Sequence, residues 1–283
     1  MTALPLSGRS VVVTRTRAQA SALVARLRGL GAEVVELPVI AVEDPVDGGR
    51  ALAGAADRLV SGRYQWVACT SPNAVTRLAT ALGARALPAA VRWAAVGAGT
   101  SRAIEEIGRS VDLLPQRSVS DALAVAFPTA DPLGPGGPAT VLFPRAETVR
   151  GTMADGLRAK GWVVDEVVAY RTVAGDPPPE AVDAAGRADV VAFTSSSTVE
   201  RAIDLLGEGG LPPVVVTIGP VTSASARSAG LSVAAEARTH TIDGLVEALV
   251  EAVGDGAGPE GPQAGRRRQR RQQQVQQQQE QQQ

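Results

Sequence analysis

Short apolar runs alternate along the chain with stretches whose apolar residues recur at helical spacing. Val11-Val12-Val13 is one such run, and Val67-Ala68-Cys69, Val141-Leu142-Phe143 and Val191-Ala192-Phe193 are others. Runs this short, bounded by turn residues, read as buried strands. After Cys69, the residues Val75, Leu78 and Leu82 fall on one helical face, and after Phe193 so do Val199, Ile203 and Leu206. Strand, turn and helix in repetition predict α/β layers built on parallel sheets.

The pattern repeats at the level of residues. Val11 to Thr14 followed by Arg15 matches Val141 to Pro144 followed by Arg145, an offset of 130, which also pairs Leu27 with Leu157, Gly31 with Gly161 and Glu36 with Glu166. Both units read as strand, helix, glycine C-cap, strand. A second kind of unit ends its strand in Thr70-Ser71 and again in Thr194-Ser195. Its continuation, Gly97-x-x-Thr100-Ser101 with Gly108, Val111, Asp121 and Leu123, recurs at an offset of 122 as Gly219-x-x-Thr222-Ser223 with Gly230, Val233, Asp243 and Leu245. The order is Arg unit, Thr-Ser unit, Arg unit, Thr-Ser unit, and each pair of units supplies about five strands.

Two partitions fit that order. The lobes are sequential, or the chain leaves lobe one after its first Arg unit and returns later. The connectors favour the second. Leu37 to Pro45 and Val167 to Val173 are both extended and follow equivalent strands, so one outward and one returning crossing would pair as an antiparallel ribbon. Lobe one is then residues 1–40 with 173–253, and lobe two is 41–172 including the linker strands. Periodicity alone does not decide between the two.

Composition changes from Gly254 onward. A Gly/Pro stretch leads to Arg266-Arg267-Arg268-Gln269-Arg270-Arg271 and a run of glutamine. Residues 254–283 are expected to be a disordered Arg/Gln-rich tail, because they offer no apolar face to offset the entropy of ordering. Five arginines there oppose Asp255, Glu260 and Glu280, and the whole chain carries a net charge of −1. A mildly acidic body and a tail without aromatic residues argue against a nucleic-acid surface.

The residue inventory excludes more chemistry than it admits. One histidine, one cysteine and eight aromatic residues are present, and Lys160 is the only lysine among 28 basic residues. Cys69 alone rules out internal disulfides and Cys-rich metal sites. Cys69 reads as a buried inert thiol and His240 as a surface residue before the last helix. No metal site and no cofactor are expected, and Gly97-x-Gly99 lacks the third glycine of a dinucleotide fingerprint, with Arg102 in its place. No long apolar run or leader occurs, so a cytoplasmic protein without a membrane partner is expected.

Ligands of open parallel sheets bind beyond the carboxyl ends of the strands, near helix N-termini whose N–H groups attract anions. The motif residues fall there: Thr14 and Arg15, Pro144 and Arg145, Thr70 and Ser71, Thr194 to Ser196, and Gly97 and Gly219, with Thr100 and Thr222 just inside the next helices. Two lobes whose strand ends face one another would form a cleft of hydroxyls, amides and arginines, suited to a large ligand with several carboxylates. The plainer reading of each hydroxyl is a helix N-cap. Arginine near a helix N-terminus is electrostatically disfavoured, which points Arg15 and Arg145 toward function. Tyr170 stands in the returning connector; Tyr64 is the only other phenol.

Taken in order, Val11-Val12-Val13-Thr14-Arg15, Thr70-Ser71-Pro72-Asn73-Ala74-Val75, Val96-Gly97-x-Gly99-Thr100, Phe143-Pro144-Arg145, Ala169-Tyr170-Arg171-Thr172, Phe193-Thr194-Ser195-Ser196 and Ile218-Gly219-x-x-Thr222 resemble the uroporphyrinogen-III synthase family over residues 6–253. The resemblance implies two flavodoxin-like α/β lobes, the first discontinuous, joined by a two-stranded linker. It implies a monomeric, cofactor-independent lyase of porphyrin and heme biosynthesis. Its substrate would be the linear tetrapyrrole hydroxymethylbilane, dehydrated and cyclised through a spiro intermediate with its last ring inverted. An inactive two-lobe binding module of the same fold is the alternative.

By resemblance Tyr170 assists departure of the hydroxyl. The substrate carboxylates fall to Thr14, Arg15, Thr70, Ser71, Asn73, Gly97, Thr100, Arg145, Thr194, Ser195, Ser196, Gly219, Thr222 and Thr241. The resemblance also admits transient contact with the preceding enzyme, hydroxymethylbilane synthase, and is silent on the tail.

Overall fold

The computed structural model describes residues 4–131, 138–148 and 152–254. The expected disordered tail lies outside the described residues, apart from Gly254. In chain order the elements are β1 (Ser10–Val13), α1 (Arg17–Gly29), β2 (Glu33–Glu36), β3 (Ile40–Glu43), α2 (Arg50–Val60), β4 (Trp66–Cys69), α3 (Pro72–Leu82), β5 (Arg92–Ala95), α4 (Ala98–Glu106), α5 (Ser120–Ala126), β6 (Thr140–Ala146), α6 (Thr152–Ala159) and β7 (Val163–Ala174). They continue with α7 (Pro179–Arg187), β8 (Val190–Phe193), α8 (Ser196–Leu206), β9 (Val214–Thr217), α9 (Pro220–Ser228), β10 (Val233–Glu236) and α10 (Ile242–Gly254).

Contacts divide the chain into two compact units, one of residues up to Ala41 and from Ala174 onward, the other Val42–Val173. The sheet of unit one runs β10-β9-β8-β1-β2 and that of unit two β3-β7-β6-β4-β5. Numbered within unit one alone, the strand order is the flavodoxin-like 2-1-3-4-5. Unit two keeps four of these strands as the same neighbours, β7-β6-β4-β5, in a permuted chain order with its Thr-Ser strands before its Arg strands, and its fifth strand, β3, lies beyond β7 at the opposite edge from the β10 position.

The two sheets agree residue for residue. Val11 pairs with Val34 in β1–β2, and Val141 with Val164 in β6–β7. Val190 pairs with Val214, and Trp66 with Arg92. The bridge Ala94–Leu113 has its counterpart in Val216–Ala235. Each match follows the offsets read from the sequence.

Strand alternation buries both faces of each sheet. In unit one Val11, Val13, Val190 and Ala192 pack with residues of α1 and α10, while Val12, Val191 and Phe193 pack with those of α7, α8 and α9. In unit two Val67, Cys69 and Trp93 face α2, α3 and α4, while Trp66, Ala68, Val141 and Phe143 face α5 and α6. Lys160 is absorbed by the scaffold: its ammonium donates to the carbonyls of Val125 and Phe127, at the end of α5.

The two crossings also pair. The Gly175 N–H donates to the Val39 carbonyl, and Arg171 meets Glu43 at 2.7 Å. One index falls by four as the other rises by four, which is an antiparallel register. Gly175 permits the approach, since a Cβ there would stand 2.0 Å from the Pro38 carbonyl oxygen.

Candidate functional site

In each unit the strand connections diverge at one point, between β4 and β6 in unit two and between β1 and β8 in unit one. Such switch points leave a crevice at the carboxyl ends of the strands. Ser71 and Arg145 flank the first, Arg15 and Ser195 the second.

In unit two, Ser71 is the N-cap of α3, its Oγ accepting the Ala74 N–H at 3.1 Å. The same Oγ lies 2.9 Å from the hydroxyl of Tyr170. Tyr170 reaches it through an irregularity in β7. Arg145 pairs with Val168 but Ala146 with Tyr170, so the register slips by one residue. A bulge of this kind re-aims a side chain, and consecutive Ala169 and Tyr170 both join the same core cluster. Tyr170 is 7% exposed. When the Ser71 hydroxyl donates to the phenol oxygen, the phenol proton is left for a further acceptor.

Arg145 is tied down. Its Nε lies 3.0 Å from Glu166 Oε2, and its Nη1 donates to the carbonyls of Ala146 and Glu147. Strand β6 runs through Arg145 to Ala146, so this arginine stands within the sheet rather than at a helix start. The neighbouring Pro144 lies past the last β4–β6 pair, Val67–Leu142, where its missing N–H breaks no ladder bond.

In unit one, β1 ends at Val13. Thr14 is buried, its hydroxyl donating to the Ala192 carbonyl at 3.2 Å. Arg15 then leaves the sheet, two residues before α1. No acidic side chain pairs with Arg15 among the described residues, and burial pulls its guanidinium below the ordinary arginine value. Ser195 caps α8 through the Thr198 N–H at 3.3 Å, with the Ser197 hydroxyl at 3.0 Å. Ser196 Oγ lies 2.6 Å from Ser225 Oγ. Thr70 and Thr194 stand half-buried one residue beyond their strands. Asn73 is the second residue of α3.

Gly97 and Gly219 are the N-caps of α4 and α9, both with extended backbone and neither with a side-chain cap. Thr100 and Thr222 are buried within the first turns. Thr241 Oγ1 accepts the Gly244 N–H at 3.1 Å, opening α10. The structure brings a further pair to these turns that sequence reasoning passed over. A Cβ on Gly97 would meet Ser118 Oγ at 2.7 Å, and one on Gly219 would meet the His240 ring at 2.9 Å. Ser118 and His240 are themselves 122 apart, so the offset that matched the glycines was the available signal.

Burial pushes the Cys69 thiol up to about 12, as expected of an inert residue. Among the described residues no cluster of three His, Cys, Asp or Glu residues is placed to hold a metal ion. No described helix is long and apolar enough to cross a membrane.

The family model described as uroporphyrinogen-III synthase HemD matches residues 21–247. The uroporphyrinogen-III synthase of Synechococcus elongatus is 30% identical over 264 residues, covering 86% of this chain and 95% of that protein. The chloroplastic uroporphyrinogen-III synthase of Oryza sativa is 29% identical, covering 84% and 78%. Among solved structures, a mutant uroporphyrinogen III synthase of Thermus thermophilus superposes with a TM-score of 0.59 at 20% identity, covering 88% of this chain and 100% of that one. The Helicobacter pylori uroporphyrinogen-III synthetase gives 0.53 at 15% identity, covering 86% and 99%. These two likenesses concern the fold.

Proposed function

This chain belongs to the uroporphyrinogen-III synthase family, and we propose on that premise that the Ser71–Tyr170 pair assists the step that commits its substrate. The activity is that of a lyase of porphyrin and heme biosynthesis, forming uroporphyrinogen III. The substrate in this reading is hydroxymethylbilane. Loss of its terminal hydroxyl gives an azafulvene cation. Attack by the last ring through its substituted carbon gives a spiro intermediate, which fragments and recloses with that ring inverted.

Hydroxymethylbilane loses its hydroxyl and cyclises unaided, but to the uninverted isomer. The protein therefore has two tasks: to speed departure of the hydroxyl and to hold the chain so that the inverting attack wins. Both are work for positioned dipoles and proximity. Departure is helped by a neutral donor at the leaving oxygen, and a phenol meets that need at neutral pH. The single observation carrying this reading is the 2.9 Å contact between Ser71 Oγ and the Tyr170 hydroxyl, at the strand end of unit two.

The substrate carboxylates are received in this reading by backbone amides at Gly97 and Gly219 and by the hydroxyl and amide groups of Ser71, Asn73, Ser195 and Ser196, with Thr70, Thr100, Thr194, Thr222 and Thr241 around them. The chemistry calls for no metal and no cofactor, because the substrate generates its own electrophile. A cytoplasmic monomer completes the reading, receiving its labile substrate directly or by transient contact with hydroxymethylbilane synthase.

The test is to supply freshly generated hydroxymethylbilane to the purified chain, oxidise the products and separate the uroporphyrin isomers. Isomer III is expected. Isomer I alone, as in the uncatalysed reaction, would leave an inactive binding module.

A further inference from the structure

Three residues recur in both units at the offset of 130. Arg15, Arg28 and Glu36 in unit one correspond to Arg145, Arg158 and Glu166 in unit two. The backbone places them equivalently, since Val13 pairs with Glu36 and Phe143 with Glu166. Their contacts differ. In unit two Glu166 holds both arginines, Arg145 at 3.0 Å and Arg158 at 2.6 Å. In unit one, among the described residues, Glu36 holds only Arg28, at 3.1 Å, on a more exposed surface.

The cause is the length of one strand. β6 continues to Ala146, and alternation puts Arg145 on the face of Phe143, beside Glu166. β1 stops at Val13 and Thr14 turns its hydroxyl to Ala192. The chain leaves the ladder one residue before Arg15, which is carried away from Glu36. The register of Val13 with Ala192 then sets the Arg15 turn beside the Thr194-Ser195 turn, at the switch point of unit one.

A partly desolvated guanidinium without a counter-charge is costly. It is retained at little gain to the fold unless an anion arrives. Arginine presents a planar fork that matches a carboxylate in two bonds. On the adjoining strand end follow the hydroxyls of Ser195 and Ser197 and the N-terminus of α8, where the Ser195 cap takes only the Thr198 N–H, groups suited to an anion.

We infer that Arg15 anchors one carboxylate of the substrate in unit one, while its match Arg145 is an internal pin of unit two. The inference rests on the family reading and narrows it, because two arginines that match by sequence receive different work.

Kinetics and thermal melts of Arg15→Gln, Arg145→Gln and Glu166→Gln test it on the full chain. Arg15→Gln should raise KM about 10- to 30-fold, the loss of one charge-assisted contact, without lowering the melting temperature. Arg145→Gln and Glu166→Gln should lower the melting temperature together, and KM of the first should rise no more than that of the second. An Arg15→Gln enzyme with KM within about twofold of wild type overturns the anchor. So does an Arg145→Gln enzyme whose KM rises as far as that of Arg15→Gln, which overturns the pin. If Arg145→Gln does not fold, Arg145→Lys takes its place under the same criterion. The wild type is run beside them: isomer I alone overturns the activity, whereas isomer III with an unmoved KM for Arg15→Gln overturns only the anchor.

Discussion

At the switch point of unit two stand a phenol held by a serine and an arginine locked to Glu166. At the matched positions of unit one stand Ile40, in place of the phenol, and Arg15, which meets no acidic side chain among the described residues. The ladders beneath are the same residue for residue, and so are the caps: Ser71 and Ser195 close α3 and α8 in one manner. Gly31 and Gly161 follow α1 and α6 with φ of 90° and 85°. Duplication has preserved what the backbone needs, namely caps, left-handed turns and register. The units part company just past the shared part of the ladder, which ends at Val13–Glu36 in unit one and continues beyond Phe143–Glu166 in unit two.

The largest effect that would break the likeness is alkaline. Cys69 and Tyr64 both lie in unit two, and unit one has neither residue type. Burial raises the Cys69 thiol from 9.0 to about 12, and burial, then the bond to Asp165, raises the Tyr64 phenol from 10.0 to about 12. An acid whose folded value is raised adds stability that is whole below its unfolded value and is lost as pH climbs toward the folded one. Unit two should therefore weaken between about pH 9 and 12, by on the order of 3–4 kcal/mol for Cys69 alone. All three tryptophans lie in unit two, so their fluorescence should change at lower pH than far-ultraviolet circular dichroism. Coincident transitions would mean that the units respond alike.

Smaller is the effect of removing the phenol. Tyr170→Phe should lower kcat about 100-fold, within the usual range for a positioned proton donor, with little change in melting temperature. Stopped-flow following of hydroxymethylbilane loss would measure it. Smaller again, Ser71→Ala and Ser195→Ala should each cost about 1 kcal/mol of stability through the lost cap. A several-fold fall in kcat should accompany Ser71→Ala alone, because only Ser71 touches a phenol. Equal kcat losses in the two variants would restore symmetry to the caps and remove the positioning role of Ser71.

Much of this was legible in the sequence. The offsets of 130, of 122 and, for the Thr-Ser strands, of 124 follow from buried strands and capped turns, whose residue types the backbone dictates, and the same offsets govern the sheet registers. The Thr-Ser and Gly-x-x-Thr turns fall at strand ends because helix starts demand them. The position of Tyr170 was legible, but its aim was not: strict alternation sets it opposite Ala169, and the register slip beside Ala146 reverses that. The unequal fates of Arg15 and Arg145 were equally hidden. They depend on whether a strand ends at its fourth residue or runs to its seventh, and Thr14 and Pro144 do not announce it. The packing of His240 against Gly219 was hidden by distance along the chain, although Ser118 and Gly97 carry the same spacing.

The division of work between the units is tested most directly by determining kcat and KM for Tyr170→Phe and Arg15→Gln side by side, on the same preparation of hydroxymethylbilane. The expected pattern is crossed: kcat falls and KM holds for Tyr170→Phe, while KM rises and kcat holds for Arg15→Gln. Both variants moving the same constant by the same factor would contradict it.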